Sequence, residues 1–392
     1  MVAIKNLINS QFITEVLGLE SNIYKQSIRF LKEKSKRNQL YEEKYLGWKN
    51  FFSNLYGYEI TSELFLKHTY FSHILKIIVI SKVFNEKNLD FEDVFTKYCK
   101  NDVNEIFKTD YFFWTQFDIN LFEKIYKNFQ GVKFGKEDLF SSIYQQIFLH
   151  ETRHKIGEFF TPSNLVHKMV EDSYRVGLKV LDPSCGSGNF IINIIIKILE
   201  SQESINSKNN AISNVFGFDI NPLAVMTIKV NILLLLLEYF SKDINIFSNF
   251  NIFLIDSLFP ELYEKEYNIN FSNIYNSFDL VIGNPPWLTY KDLTNKTYQN
   301  KIRDLAKILK IKPPSQYITH IELAAIFFYA IPSKFLKEKG IIFFVMPKSV
   351  LNGDHCYKFR AFSIFNNNLE IWDFPKNYFF NVNHICLKAE YI

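Results

Sequence analysis

Four short apolar runs, each stopping at an acid or an amide, constrain this chain more than any other feature. Val180-Leu181 ends at Asp182, Val215 to Phe218 at Asp219, and Asn251 to Ile255 at Asp256; Leu280 to Ile282 passes through Gly283 to Asn284. Runs of this length, rich in β-branched and aromatic residues and bounded by turn residues, read as buried strands. The apolar stretch Ile191 to Leu199 after the first of them reads as a helix. Strands alternating with helices predict an open α/β sheet, and in such sheets the carboxyl ends of the strands line the ligand crevice. Any one of these acids serves equally well as a helix N-cap. Four polar strand ends in register are a set that capping alone does not explain.

The fourth run carries the most chemistry. After Asp279-Leu280-Val281-Ile282-Gly283 come Asn284, Pro285, Pro286 and Trp287. Two consecutive prolines fix φ and remove two N–H donors, so the loop is rigid and its carbonyls are available as acceptors. Asn284 adds an acceptor and Trp287 a flat apolar face. Together they suit a planar nucleobase held by its exocyclic amine; a tight turn capped by a surface Trp is the bland alternative. Upstream, Asp182-Pro183-Ser184-Cys185-Gly186-Ser187-Gly188 forms a strand-to-helix turn in which glycines let backbone approach a ligand. The turn lacks both the full dinucleotide fingerprint and the Lys-Ser/Thr of a phosphate loop. With Asp182 at its head it would repel phosphate and hold a cationic group. Asp219, closing the second strand, is placed to accept from ribose hydroxyls. Its distance in sequence from the glycine turn exceeds the usual ~20 residues, and the polar stretch Ser201 to Asn214 reads as a loop insertion.

With these residues in order, the chain resembles the S-adenosylmethionine-dependent DNA adenine-N6 methyltransferases, in the arrangement shared by type I modification subunits and type IIG enzymes. Gly157-Glu158-Phe159-Phe160-Thr161-Pro162 resembles the family's first motif. Asp182 to Phe190 resembles its cofactor loop, Gly217 to Pro222 its ribose strand, and Asn284 to Trp287 its catalytic motif. Gly340 to Pro347 and Asn383 to Ala389 resemble its later strands. The resemblance spans roughly residues 140 to 392. It implies a Rossmann-like class I methyltransferase sheet with helices on both faces, preceded by an α-helical N-terminal domain, with domains at 1–150 and 151–392. It implies S-adenosylmethionine as cofactor. Phe160, Thr161 and Pro162 would lie at its methionine part and Asp182 at its ammonium. Gly186 and Gly188 would admit it, Asp219 would take its ribose with Ile220 on its adenine ring, and Asp256 would accept from its N6 amine. Asn284 and the Pro285 carbonyl would accept from the target adenine's amine, with Pro286 stiffening the loop and Trp287 stacking on the base. A second stacking aromatic is Phe380 or its neighbour Phe379; a plain core Phe is the alternative for Phe380.

The implied activity is site-specific methylation of adenine N6 in double-stranded DNA within a restriction-modification system. Methyltransferases of similar motif act on a protein glutamine or on RNA, and a remnant that binds cofactor or DNA without methylating is a third reading. Family members usually continue into a target-recognition domain. With the last residue at Ile392, a specificity subunit or a missing downstream domain is the expected source of recognition.

Composition adds limits. Hydrophobic content of 47 %, with 41 Phe and 22 Tyr, supports a sizeable core, and a formal charge of +4 is too small to demand a polyanionic partner. Cys99, Cys185, Cys356 and Cys386 show no disulfide or metal spacing, the histidines show no zinc-like pairing with cysteine, and no metal is expected. His154, beside Arg153, reads as solvated. Ile232 to Leu237 reads as part of a buried helix, so no membrane partner and a cytoplasmic location are expected. Ser62 to Phe84 has helical spacing in Leu64, Phe65, His68, Phe71, Ile74, Leu75 and Ile78. Lys32 to Arg37 is a solvated helix face or a DNA-backbone contact. No acid-x-Lys nuclease constellation is found in residues 1–150. Asn268 to Ser277 is read as a polar insertion and Lys291 to Ser315 as a loop-rich segment bordering DNA. Glu322 to Glu338 is read as a helix feeding the strand Gly340 to Met346.

Overall fold

A computed structural model describes residues 7–56, 61–83, 106–107, 110, 112–147, 160–240, 250–267 and 270–392. Gly157 to Phe159, Arg153, His154 and Cys99 lie outside the described residues. Two compact units divide the chain: residues 1–53, 59–150 and 221–250 form the first, and residues 54–58, 151–220 and 251–392 the second. The stretch 221–250, inside the domain expected at 151–392, thus groups with the first unit.

In the first unit the helix Ser62–Val83 is buried from Phe65 to Ser81 except at Lys67. A helix buried all round must satisfy its polar side chains internally, and much of this one's polar surface is paired in that way. Trp48 Nε1 donates to His68 Nδ1 at 3.2 Å, Trp114 Nε1 donates to Thr69 Oγ1 at 2.9 Å, and Lys76 forms a buried ion pair with Asp110. Ser72 donates to the same carboxylate at 3.0 Å. Removing one partner of a buried pair of this kind costs about 3–5 kcal/mol. Burial drives the His68 and His73 imidazoles down to about 3, which keeps both neutral. The helix Pro222–Tyr239 belongs to this unit and contains the expected Ile232 to Leu237. It is long and apolar enough to cross a membrane by composition, yet 83 % of that window is buried inside the protein. Its Asn231 donates to Asp138 at 2.7 Å, and its Glu238 accepts from Lys82 at 2.5 Å. The unit also holds the helices Ser10–Leu17, Asn22–Ser35, Ile119–Phe129 and Ser141–Ile147 and a parallel pair, β1 (Leu7–Ile8) and β2 (Lys133–Phe134).

The second unit is built on a seven-stranded sheet. Its strands are β3 (Val180–Asp182), β4 (Val215–Asp219), β5 (Asn251–Leu254), β6 (Phe278–Gly283), β7 (Leu336–Pro347), β8 (Glu370–Asp373) and β9 (His384–Glu390). The spatial order is β5-β4-β3-β6-β7-β9-β8, parallel throughout except where β9 runs antiparallel to β7 and β8. β3 and most of β6 are buried, which is why they read as unbroken apolar runs. Register aligns the strand ends: Asp182 pairs with Gly217, Asp219 with Leu254, and Leu181 with Val281. Asp182, Asp219, Asp256 and Asn284 therefore emerge at one edge of the sheet, as the four polar strand ends suggest. Phe218, Phe253, Phe271 and Phe335 pack edge to face beneath it.

Several boundaries differ from the sequence reading. The segment Lys291 to Ser315 is not loop-rich: it contains the helix Lys296–Ile308, capped by Asn295 accepting from Tyr298 N at 3.0 Å and burying only Ile302 and Ala306. So thin an apolar stripe amid charge reads as a loop. The insertion Ser201 to Asn214 contains the helix Ile205–Ser213, with Ser204 as N-cap. Within Asn268 to Ser277 a short 3-10 turn, Phe271–Ile274, is capped by Asn270. The helix expected to Glu338 is Leu323–Phe335, and the chain enters β7 at Leu336. The helical pattern of Lys337 to Lys339 has nothing to bury against; these residues are exposed, and a register shift there lets β7 start early.

Candidate functional site

The turn after β3 is glycine-dependent. Gly186 (φ +53°) and Gly188 (φ +105°) occupy the left-handed region that side chains resist. Gly188 heads the helix Asn189–Glu200 and donates to Cys185 O at 2.9 Å. A Cβ on Gly186 would meet nothing within 4 Å, so the turn faces open space there. Gly186 N donates to Asp219 Oδ2 at 2.8 Å, which ties the turn to the end of β4. Cys185 is buried and its thiol is held well above its ordinary value, by burial first and by Asp219 and Asp182 after it. It acts as a small packing residue.

None of the strand-end acids caps a helix. The helix Asn189–Glu200 starts at Gly188, and Pro222–Tyr239 is capped by Asn221. Asp182 is 1 % exposed, and its Oδ1 accepts from Ser184 N at 3.1 Å. Burial, with the nearby Asp219 charge adding to it, pushes this carboxyl up to about 8. Gly283 makes room for it: a Cβ there would stand 2.6 Å from Asp182 Oδ1. Asp219 is half-buried, and Ile220 beside it is 38 % exposed, an apolar face available to a ligand. Asp256 is buried and accepts from Leu258 N at 2.9 Å; burial raises its carboxyl, and a hydrogen bond from the Tyr298 hydroxyl opposes that rise.

Thr161 joins the two halves of the site. Its carbonyl accepts from Asn189 Nδ2 at 2.7 Å, and its hydroxyl accepts from Asn284 Nδ2 at 3.1 Å. The donor end of the Asn284 amide is thus turned to Thr161, and the opposite end of that amide is an acceptor. Ser184 Oγ donates to Asn284 O at 3.1 Å, so the glycine turn also grips the backbone of the Asn-Pro-Pro loop. Ser257 Oγ donates to Pro183 O. Pro285 is buried; Phe160, Pro162, Pro286 and Trp287 are half-buried.

Trp287 and Phe380 meet with ring centres 5.1 Å apart and planes tilted by 53°. Phe379 instead packs on Phe374, Tyr378 and His384, so Phe380 is the aromatic opposite Trp287. Phe380 also packs on His384 at 4.7 Å and is 7 % exposed. Two rings sandwiching a planar group stand roughly 7 Å apart, two contact distances, so these rings touch directly and leave no such space between them. Beside Trp287 opens a cavity of about 780 Å3, lined also by Thr289, Glu322, Lys348, Lys376 and Asn383.

The sequence reading missed Ser184, Ser257, Tyr298 and Glu322. Ser184 lies within the recognised glycine turn and Ser257 next to Asp256, and a serine at a strand end is a weak signal. Tyr298 and Glu322 come from segments whose place at the site depends on tertiary structure.

Comparison with known proteins gives a consistent picture. Residues 135–385 match the N-6 DNA Methylase family model. The type I restriction enzyme MjaIX methylase subunit of Methanocaldococcus jannaschii is 28 % identical over 166 residues, which are 41 % of this chain and 25 % of that protein. The DrdV–DNA complex aligns over 93 % of this chain and 40 % of its own, with a TM-score of 0.56 at 14 % identity. The DNA-bound type ISP enzyme LlaBIII aligns over 94 % and 28 %, with a TM-score of 0.56 at 13 % identity. The chain thus spans a quarter to two fifths of the length of these proteins. At such identities the structural likenesses concern fold, and with the sheet order they bear out the Rossmann-like class I methyltransferase sheet. The family match covers well over half of the 392 residues, and the chain belongs to the N-6 DNA methylase family.

Proposed function

We propose that this chain transfers a methyl group from S-adenosylmethionine to the N6 amine of an adenine flipped out of double-stranded DNA, as the methylating component of a restriction-modification system. The observation that carries the reading is the Asn284 amide, held by Thr161 through its donor end on the same sheet edge as Asp182, Gly186 and Asp219. The residues present fit the cofactor. Gly186 faces open space, Asp219 and the exposed Ile220 can take a ribose and an adenine face, and the desolvated Asp182 carboxyl is a partner for an ammonium. Bound S-adenosylmethionine supplies an electrophilic methyl on a sulfonium.

The chain's own residues do the rest. An adenine amine is a poor nucleophile because its lone pair is delocalised into the ring. Asn284 Oδ1 and the Pro285 carbonyl accept its two hydrogens, favour a pyramidal nitrogen and so expose the lone pair. Fixed acceptors aimed at developing positive charge act without reorganisation, and Thr161 and Ser184 fix this loop. Holding nitrogen in line with the methyl lowers the barrier further. Flipping costs a few kcal/mol; stacking on Trp287 and Phe380 offsets ~1–3 kcal/mol per base. The Methanocaldococcus jannaschii relative is a subunit of a type I restriction enzyme, and DrdV and LlaBIII are DNA-bound. These support DNA as substrate and a partner subunit for sequence recognition. Methyl transfer from radiolabelled cofactor, run in parallel on DNA, RNA and a release factor, tests the assignment. Label is expected in DNA adenine alone; label in RNA or protein overturns the substrate.

A further inference from the structure

Glu322, His355 and Cys356 lie together on the second unit, and the proposed methyl transfer assigns none of them a role. Glu322 precedes the helix Leu323–Phe335, yet its side chain makes no cap hydrogen bond to that helix. It is 7 % exposed, and its described side-chain hydrogen bond is with His355 Nε2 at 3.1 Å. A carboxylate has about four acceptor sites, and burying one with so few partners is costly. Cys356, 4 % exposed, follows His355 in the turn Asp354–Cys356. The Glu322 oxygen, the His355 nitrogen and Cys356 Sγ all lie within 4.8 Å of one another.

The surroundings hold this arrangement. Gly353 has an ordinary φ of −72°, which any residue could adopt, so glycine serves here for space. A Cβ at that position would stand 2.3 Å from His355 Cε1. Arg360 Nη1 donates to Gly353 O at 2.7 Å, and Cys356 N donates to the same carbonyl at 2.9 Å. The imidazole is therefore seated on a glycine in a braced turn.

We propose that Glu322, His355 and Cys356 bind one borderline-soft divalent metal ion, Zn2+ foremost. A carboxylate, a thiolate and a neutral imidazole around Zn2+ sum to zero charge, the state that burial favours. With bonds of ~2.0–2.1 Å to nitrogen and oxygen and ~2.3 Å to sulfur, tetrahedral ligand atoms stand roughly 3.3–3.6 Å apart. The His355–Glu322 spacing already approaches that range, and Sγ, within 4.8 Å of both, has at most roughly 1.3 Å to close. Cys356 binds as thiolate, and its proton leaves to solvent. His320, whose ring centre is 5.9 Å from that of His355, or a water completes the shell. No sequence pattern announces the site, because its ligands come from segments 33 residues apart and lack paired-cysteine spacing.

The ion braces the cavity wall. Glu322 lines the cavity that Trp287 also lines, Thr289 pairs with Glu322 in a β-bridge, and Leu323 N donates to Leu288 O at 2.8 Å. Metal would thereby lock the loop after Trp287 to the turn 354–356.

Full-length protein prepared without a polyhistidine tag, dialysed against micromolar zinc and assayed by elemental analysis, is expected to hold about one zinc per chain. Loaded with Co2+, it is expected to show intense tetrahedral d–d bands and a near-ultraviolet thiolate-to-cobalt band. That band should vanish in Cys356→Ser and persist in Cys386→Ser. Glu322→Gln and His355→Asn are expected to raise the zinc Kd at least tenfold, which keeps the test open should Cys356→Ser not fold. Chelation is expected to lower Tm in the wild type and leave it unmoved in folded variants. Stoichiometry well below one, or a cobalt band that survives in Cys356→Ser, overturns the site and leaves an ordinary buried Glu–His hydrogen bond.

Discussion

The proposed cofactor side and the proposed target-base side of the second unit are neighbours built on different principles. The cofactor side is fixed by hydrogen bonds: Gly186 to Asp219, Ser184 to Asp182, Cys185 to the end of β4, Leu258 to Asp256. The target side is closed by an apolar contact, Trp287 on Phe380, from segments far apart in sequence. On the proposed roles, the first receives its ligand as it stands, and the second must part to admit a base. That difference suits the proposed order of demands: a small cofactor diffuses in, whereas a flipped base must displace something of similar stacking strength.

The largest expected effect separates the two sides outright. Asn284→Ala removes the acceptor on the target side and leaves the cofactor turn's own bonds in place. Single-turnover methylation is expected to fall about 10²–10³-fold, the scale for losing one preorganised transition-state contact, while calorimetric cofactor Kd stays within about twofold. Near-normal turnover sinks the mechanism. On the other side, Asp219→Ala deletes a charged acceptor worth ~1.5–3 kcal/mol, so cofactor Kd is expected to rise roughly ten- to a hundredfold. Gly186→Val is expected to lose at least as much, because φ +53° is strained for any β-branched side chain. Unchanged affinity in both variants means the cofactor lies elsewhere.

The same contrast explains what was legible in the sequence. Asp182, Gly186, Gly188 and Asp219 could be read directly, since a strand, a glycine turn and a helix are local patterns, and parallel strands of a doubly wound sheet end on one edge by topology. Asn284 to Trp287 could be read because two prolines punctuate a buried strand. Thr161 was recognisable as a residue of the site, but its bond to Asn284 joins positions 123 residues apart and has no local signature. Tyr298 was hidden because its helix buries only two residues and reads as loop. Glu322 was hidden because a Glu opening a helix ordinarily faces water. Phe380 rather than Phe379 faces Trp287, and only the packing of Phe379 on Phe374 and Tyr378 decides between neighbours.

A middle-sized effect sharpens the comparison on the target side. Phe380→Ala removes both the partner of Trp287 and the barrier to opening, so the two consequences oppose each other. Trp287→Ala removes the platform itself and is expected to cost ~1–3 kcal/mol of base stacking, about five- to a hundredfold in DNA methylation at limiting substrate. Phe380→Ala is expected to cost less than Trp287→Ala. With 2-aminopurine at the target position, base flipping is read as fluorescence: it is expected to be weak in Trp287→Ala and largely retained in Phe380→Ala. Equal losses in both would mean that the rings act as a sandwich from the start and not as a closed contact that opens.

The last expected effect probes a desolvated acid of the proposed cofactor side. Burial holds the Asp182 carboxyl up at about 8 against an ordinary 3.8, so the folded protein keeps its proton where the unfolded chain has lost it. Its contribution to stability is therefore full below about 4 and is lost as pH rises through about 8. Asp182→Asn removes that loss, and the cofactor-free variant is expected to melt higher than the wild type at pH 8–9. The cofactor's ammonium calls for the opposite state, the ionised carboxylate. Between pH 6 and 7.5 binding must then expel the Asp182 proton, so wild-type affinity is expected to rise with pH by close to tenfold per unit, and Asp182→Asn to bind more weakly with a flatter profile. Calorimetric titrations in two buffers of different ionisation heat count the proton directly: close to one released by the wild type, close to none by the variant. A wild type that releases no proton, with a variant of equal affinity, would remove Asp182 from the cofactor's ammonium. It would leave the residue as a buried acceptor for Ser184 that Gly283 accommodates for packing alone.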